Sequence, residues 1–386
     1  MAESPTTPAT LTKSSTPSKK MTKKIQFTKK SPFSKELKRR VDAYFQEQNL
    51  SPRDQPKMYL KTVIILSWTL ASYALLLFGP AIVWFKFLMA ASLGAAMAGV
   101  GFSIMHDGGH RSYSTKNWIN RIAFFSLDML GASSYIWNWK HNVFHHTYPN
   151  IVDHDDDLNV GVFGRLAPEQ THYKFHQYQH IYLWFLYGLL PAKWHLFDDF
   201  EKLYTGRMGV NSFPRPKGWD LFVFFSGKIL FFTWAFVIPS MFYSFWVVCA
   251  FYLFATFIEG VLLAVVFQLA HCLEEADFPM PNEYNKIDDD FLIHQLHTTA
   301  DFAPNNKLLS WYVGGLNFQV EHHLFPKVSH IHYPALAKIV EETCNDYGIQ
   351  YHCHATFWGS LRSHYNWLVR LGKNAEQVAP SVAEPA

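Results

Sequence analysis

Four long apolar runs, grouped as two pairs with a more polar stretch between them, set the tightest limit on how this chain folds. Tyr59 to Phe78 and Ala81 to Met105 are separated by little more than Gly79 and Pro80. Leu221 to Val237, extending to Pro239, and Phe245 to Ala270 are separated by a short uncharged turn. A membrane-spanning helix needs about 20 apolar residues, and in lipid only a helix or a closed barrel satisfies every backbone polar group. The runs therefore predict four transmembrane helices, at about 59–79, 81–105, 221–239 and 245–270, in two hairpins. A hairpin returns the chain to the side it left. The ends of the second and fourth spans, with His106, His110 and His271, are thus expected on one face of the membrane.

The ends of the chain supply the orientation. Residues 1–61 hold 14 Lys and Arg against 5 Asp and Glu, and a basic segment before a first span is kept on the cytoplasmic side. Residues 1–30, rich in Ser, Thr, Pro and Lys, read as a disordered tail with no apolar core of a signal peptide. Residues 373–386 read as a second tail, which leaves 31–372 as one membrane domain. Pro32 to Gln48, with Leu37, Val41 and Tyr44 at helical spacing, reads as a surface helix, and Tyr333 to Tyr347 as another. Residues 119–136 suit a helix lying in the interface, while IYLWFLYGLLP, ending at Pro191, is too short to cross. Lys86 is expected to snorkel to the outer interface, and Lys228 and Glu259 to neutralise each other between spans. The four cysteines form no CxxC and no close pair, which argues against a zinc ribbon or disulfide framework. The expected fold is all-α, an integral membrane protein with a cytoplasmic helical cap that carries the histidine-rich segments.

Histidines gather next to the span ends. HDGGH holds His106 and His110, WNWKHNVFHHTYPN holds His141, His145 and His146, and LNFQVEHHLFP holds His322 and His323, with Gln319 where a third imidazole would fit. At about 100° per residue on an α-helix, His141 and His145 share a face and His146 points away. With His271 the candidates number eight, twice the four ligands of a structural zinc site. They fit two metals with coordination positions left open, and iron is the metal that uses open positions on O2. Ligating imidazoles hand their second N–H to a carboxylate, carbonyl or water; Asp107, Asp157 and Glu321 are the expected partners. His172, His176 and His180 form an i, i+4, i+8 stripe expected to pack rather than ligate. His154, His294, His297, His330 and His332 are candidate hydrogen-bond partners, and His195, His352, His354 and His364 are expected at the surface.

HDGGH, HNVFHH and QVEHH, placed between two apolar hairpins, resemble the three histidine boxes of the integral-membrane fatty acid desaturases. QVEHH is similar to the third box of the front-end subgroup, and GGLNFQVEHHLFPKVSHIHYPAL resembles bacterial linoleoyl-CoA or delta-6-type members. The resemblance, from about Phe33 to Gly372, implies two irons held by the box histidines and His271, with Gln319 a ligand or a water-holding residue. It implies insertion of a cis double bond into an acyl-CoA or acyl-lipid, using O2 and two electrons from an external donor, at the cytoplasmic face of a bilayer, with a bacterial inner membrane favoured over the endoplasmic reticulum. No HPGG haem motif and no flavin or nicotinamide fingerprint is present, so no bound haem or flavin is expected. The electrons are expected from a separate ferredoxin or cytochrome b5, steered by residues such as Lys140 or Lys327. Trp137, Trp139, Trp311 and Tyr312 are candidates to line the acyl route. Two rivals remain at this stage: a hydroxylase or other monooxygenase of the same scaffold, including one acting on sphingolipids, and a metal transporter. A transporter places its ligands inside its spans, whereas these histidines follow the span ends. Nothing points to nucleic acid.

Overall fold

The computed structural model of the chain describes residues 24–373. Helices dominate it: α1 (Pro32–Glu47), α2 (Pro56–Phe78), α3 (Val83–His110), α4 (Asn117–Leu130), α5 (residues 134–145), α6 (Gln179–Lys193) and α7 (Asp199–Thr205). They continue with α8 (Trp219–Ser240), α9 (Phe245–His271), α10 (Phe291–His297), α11 (Lys307–Tyr312), α12 (Gln319–Leu324), α13 (Tyr333–Tyr347) and α14 (Phe357–Gly372). Four of these, α2, α3, α8 and α9, are long and apolar enough to cross a membrane. Three two-stranded ladders complete the described residues.

The spans bury one side and leave the other apolar and open. On α2, Met58 and Ile65 are buried while Leu60, Val63 and Leu70 are exposed; on α8, Phe224 and Phe231 are buried while Trp219, Phe222 and Ile229 are exposed. Exposed side chains of this kind belong in lipid, where burial against protein gains nothing over burial in hydrocarbon. α3 lies between α2 and α9, and α9 packs in turn on α6, so the two spans that end in histidine lie side by side. α4 rests on α8 and on the end of α3 with Asn120, Ala123 and Leu127 inward and Trp118 and Ile122 outward, the two-faced pattern of an interfacial helix.

Charges near the spans are placed differently from the sequence expectation. Lys86 is buried and donates to Leu76 O at 2.7 Å and to Tyr243 OH at 3.1 Å. It serves the last carbonyls of α2, which have no intrahelical partner and carry the negative end of the helix dipole. Lys228 does not meet Glu259. It donates to Asp199 at 2.8 Å, to Gly131 O at 2.6 Å and to His195 O at 3.1 Å, because α7 brings a carboxylate to α8 from outside the spans. Glu259 Oε2 is buried without a partner among the described residues.

Residues 1–23 and 374–386 of the expected tails lie outside the described residues. The remainder of the first tail is docked: Gln26–Phe27 pairs in parallel with Lys286–Ile287, and Ile25 is buried with Tyr148, Ile151 and Ile287. The apolar residues Ile25 and Phe27 are enough to hold this short stretch. Helix α1 buries Phe33, Leu37 and Val41 against Leu336 and Val340 of α13, which joins the amino-terminal helix to the segment carrying the third histidine cluster.

Asp199 and Lys228 form a buried ion pair, and removing one partner of such a pair costs about 3–5 kcal/mol. Asp199→Ala is expected to lower the thermal midpoint in detergent markedly, and Asp199→Leu combined with Lys228→Met to recover most of the loss. Thermal unfolding of the purified variants checks both.

Candidate metal centre

The three histidine clusters and His271 converge on one buried region. Ring-nitrogen ligand atoms of His106, His110, His141 and His322 lie within 4.8 Å of one another; those of His145, His271 and His323 do so as well, and those of His146, His322 and His323 form a third group. The eight histidines come from α3, α5 with the residue that follows it, the end of α9, and α12.

Local backbone shape explains how. Residues 101–105 and 138–145 are π-helical, with i→i+5 bonds such as His106 N to Gly101 O and His146 N to His141 O at 3.0 Å. Such wide turns occur often at functional sites. The extra residue per bond brings His146 over His141, with their Nε2 atoms 3.3 Å apart. The α-helical reading had turned His146 away. In HDGGH, a Cβ on Gly108 would meet Phe124 N at 2.7 Å and one on Gly109 would meet Trp137 at 2.7 Å. Glycine there lets α4 and Trp137 press against the histidine turn.

The rings are oriented by acceptors on one side. His145 Nδ1 donates to Asp155 Oδ2 at 3.0 Å, His323 Nδ1 to Gln295 Oε1 at 2.8 Å, and His271 Nδ1 to Thr298 O at 3.3 Å. His322 Nδ1 faces Tyr333 OH at 3.4 Å. An imidazole that gives up its Nδ1 proton position to an acceptor keeps a lone pair on Nε2. The Nε2 atoms of His145, His322 and His323 are buried with no hydrogen-bond partner, as are His110 Nε2, His106 Nδ1 and His146 Nδ1. Leaving one buried polar atom unpaired costs about 1–3 kcal/mol, so six converging in one place are not a stable packing arrangement on their own. Buried histidine groups of this kind are compatible with a metal site, and neutral imidazole suits iron, zinc, copper and nickel.

The electrostatics favour the neutral form of four of these imidazoles. Burial pushes His141 down to about 3, and burial with neighbouring imidazoles holds His146, His322 and His323 well below the ordinary histidine range. His145 moves the other way: burial opposes its charge, but Asp155 and Asp157 outweigh it. Burial also opposes the charge of Asp157, yet Lys140 at 2.9 Å and the nearby histidines hold its carboxyl well below the carboxylate range.

The outer partners differ in part from those expected. Asp157 lies 3.7 Å from both His141 Nδ1 and His145 Nδ1, while the closer bond to His145 comes from Asp155. Asp107 lies 3.8 Å from His106 Nδ1 and accepts from His330 Nδ1 at 3.0 Å. Glu321 touches no histidine. Its carboxyl turns away beside Asp301, and Tyr351 OH donates to Asp301 at 2.7 Å and to Glu321 at 3.1 Å; burial pushes both carboxyls up. Consecutive residues of a helix point in different directions, so adjacency to His322 did not imply contact. Gln319 Nε2 lies 2.9 Å from His271 Nε2. Gln295, Thr298 and Tyr333 were not foreseen, since an amide, a carbonyl and a phenol distant in sequence give no local signal.

Of the other histidines, His172 and His176 bond Gly372 O and Val162 O, both at 2.9 Å, which is packing. His195 and His364 are buried rather than at the surface: His195 faces Tyr252 OH at 3.1 Å, and His364 donates to Cys272 O at 2.7 Å. Burial pushes them down to about 3 and about 4.

A cavity of about 390 Å³ opens onto the centre at His106, His141 and Gln319. Its lining is in part apolar, with Phe102, Leu263, Phe267 and Leu316, and in part charged, with Lys140, Lys193 and Lys202 and with Asp156, Asp157, Asp198 and Glu201. Trp137 lines it, whereas Trp139, Trp311 and Tyr312 do not. Lys140 lines this cavity with its Nζ 2.9 Å from Asp157, and Lys327 is exposed.

The family model for fatty acid desaturases matches residues 82–355, which include all three histidine clusters. The chain belongs to the fatty acid desaturase family. This desaturase is 41% identical over 348 residues to an sn-1 linoleoyl-lipid 6-desaturase of Arthrospira platensis, covering 89% of this chain and 94% of the relative. A Synechocystis protein of the same description is 38% identical over 339 residues, 87% of this chain and 94% of the relative. An acyl-lipid (8-3)-desaturase of Physcomitrium patens is 38% identical over 340 residues, 87% of this chain and 71% of the relative. The chain is thus a desaturase, an oxidoreductase acting on fatty acyl chains.

Partners that orient a ligating histidine typically change metal affinity or activity 10- to 100-fold when lost. Asp155→Asn is expected to weaken metal retention by about that factor, and Glu321→Gln to leave it much less affected. Metal remaining after graded chelator treatment of each purified variant is the readout.

Proposed function

We propose that this desaturase is a front-end acyl-lipid enzyme, placing a cis double bond between an existing double bond and the carboxyl end, at position 6 of a linoleoyl chain as its relatives' names describe. His106, His110, His141, His145, His146, His271, His322 and His323 hold two irons in this reading, with Gln319 beside His271 as a water-holding or substrate-facing amide. The observation that carries it is the set of buried ring nitrogens without partners, each ring fixed from its other side where an acceptor is present. Tetrahedral zinc of the structural kind uses four ligands, and eight converging imidazoles exceed that.

A pair of irons bound there supplies O2 reduction at positions the imidazoles leave open. The overall change is R–CH2–CH2–R′ with O2, two electrons and two protons giving R–CH=CH–R′ and two waters. The chain's own residues do the rest. The apolar lining of the cavity holds the acyl chain against His106 and His141 and excludes water, and Asp155, Gln295 and Thr298 fix the imidazoles so that the geometry does not relax during turnover. Unactivated methylenes offer no polar handle, so the position of the new bond follows from where the chain is held.

Acyl-lipid is favoured over acyl-CoA by the charges of the cavity. Its three lysines face four carboxylates, and Lys140–Asp157 at 2.9 Å and Lys193–Asp198 at 3.0 Å are already paired. Such a lining offers no net positive seat for the several phosphates of a CoA thioester.

The same reading makes residues 31–372 one membrane domain of two hairpins, with the amino terminus, histidine centre and helical cap cytoplasmic, in a bacterial inner membrane. The two electrons come from a separate ferredoxin or cytochrome b5 docking on the cap.

Purified iron-loaded enzyme in lipid carrying sn-1 linoleoyl chains, supplied with NAD(P)H, a reductase and ferredoxin, is expected to yield a triene with the new bond at position 6, located by mass spectrometry of the released fatty acid. Turnover is expected to stop when ferredoxin is left out. A hydroxylated product, or a bond placed beyond the existing ones toward the methyl end, contradicts the reading.

A further inference from the structure

The charged lining of the cavity contains one ammonium placed to act on the substrate. Lys140 sits in the second histidine cluster, immediately before His141, and lines the cavity that also exposes His106 and His141. Its Nζ is 2.9 Å from Asp157 Oδ1 and lies over the Trp194 ring, 4.7 Å from the centroid. Asp157 in turn lies 3.7 Å from His141 Nδ1. An ammonium has three N–H donors, and the carboxylate uses one of them. Carboxylate and ring together hold the lysine side chain in one place on the lining of the cavity, which leaves two donors available to a molecule bound there.

The geometry points to Lys140 as the residue that holds the ester carbonyl of the substrate and thereby sets the new double bond close to the carboxyl end. This rests on the front-end reading above. At roughly 1.5 Å per C–C bond, the five bonds from the carbonyl carbon to C6 reach at most about 7.5 Å. An enzyme that acts so near the carboxyl end must grip the ester close to its reactive centre, and a single carboxylate links Lys140 to His141, with Asp157 Oδ1 2.9 Å from Lys140 Nζ and Asp157 Oδ2 3.7 Å from His141 Nδ1. A grip farther from the histidines would leave more carbons between ester and histidines and move the bond toward the methyl end. Among the lysines lining the cavity, Lys140 is the one adjacent to a ligand histidine. A neutral carbonyl can accept from it without displacing Asp157, so the pair need not break when substrate enters.

The test compares two substrates and three proteins. The substrates are a lipid with an ester-linked linoleoyl chain at sn-1 and the matching lipid with the chain ether-linked, which lacks the carbonyl. The proteins are the full-length iron-loaded wild type, Lys140→Met and Lys140→Arg. Wild type on the ester is expected to give one positional isomer. Wild type on the ether, and Lys140→Met on the ester, are expected to show a KM raised about tenfold or more and products spread over neighbouring positions, with Lys140→Arg restoring the single isomer. Wild type giving the same isomer and KM on ether and ester overturns the assignment, and that arm needs no variant to fold. Lys140→Met retaining both the single isomer and the wild-type KM overturns it too. Should wild type place its bond on the ester away from the carboxyl end, the front-end reading fails instead.

Discussion

Everything else in this desaturase depends on one arrangement: imidazoles pinned from one side so that their other nitrogens converge. His145 is held by Asp155, His323 by Gln295 and His271 by Thr298 O. Those acceptors come from a loop after the second cluster and from α10 and the residue just after it, neither of which supplies a ligand. A cluster of buried, unpartnered nitrogens costs stability that a bound metal would repay. The protein accepts that cost in the region where chemistry requires it, as strained and unsatisfied groups commonly gather at functional sites.

The spans set where this can happen. α3 and α9 lie side by side and end at His110 and His271, so two of the four histidine segments are delivered by helices long and apolar enough to cross a membrane. The other two, α5 and α12, are brought in by polar chain packed over those ends. Helix α13, against which α1 rests, supplies Tyr333 to His322. The reactive centre thus lies where apolar helices meet a polar layer, and its cavity has apolar and charged lining suited to the two parts of an acyl lipid.

Much of this was legible in the sequence. Four apolar runs of the right length became four helices fit to cross a membrane, and Tyr333 to Tyr347 became a helix with those bounds. The eight histidines chosen for their place after the spans are the ones that converge. What could not be read is what depends on the third dimension or on backbone register. The π-helical turns that lay His146 over His141 have no signature in an α-helical periodicity. Lys228 found Asp199 instead of Glu259 because the short helix α7, just before α8 in the chain, folds back to bring its first residue to α8. Glu321, adjacent to a ligand, faces Asp301, whereas Gln295, distant from every cluster, orients His323. Lys140 looked like a surface charge and lines the cavity instead. Charged residues pair with what the fold brings to them, and sequence proximity is a poor guide to that.

The central claim is that eight imidazoles form one site for two irons. Iron content measured by mass spectrometry on full-length protein purified without added zinc, together with the Mössbauer spectrum of the same sample, tests it most directly. The account predicts about two irons per active chain in nitrogen-rich environments, both lost together with activity when chelated. Full activity with one iron per chain, or with none, would contradict it.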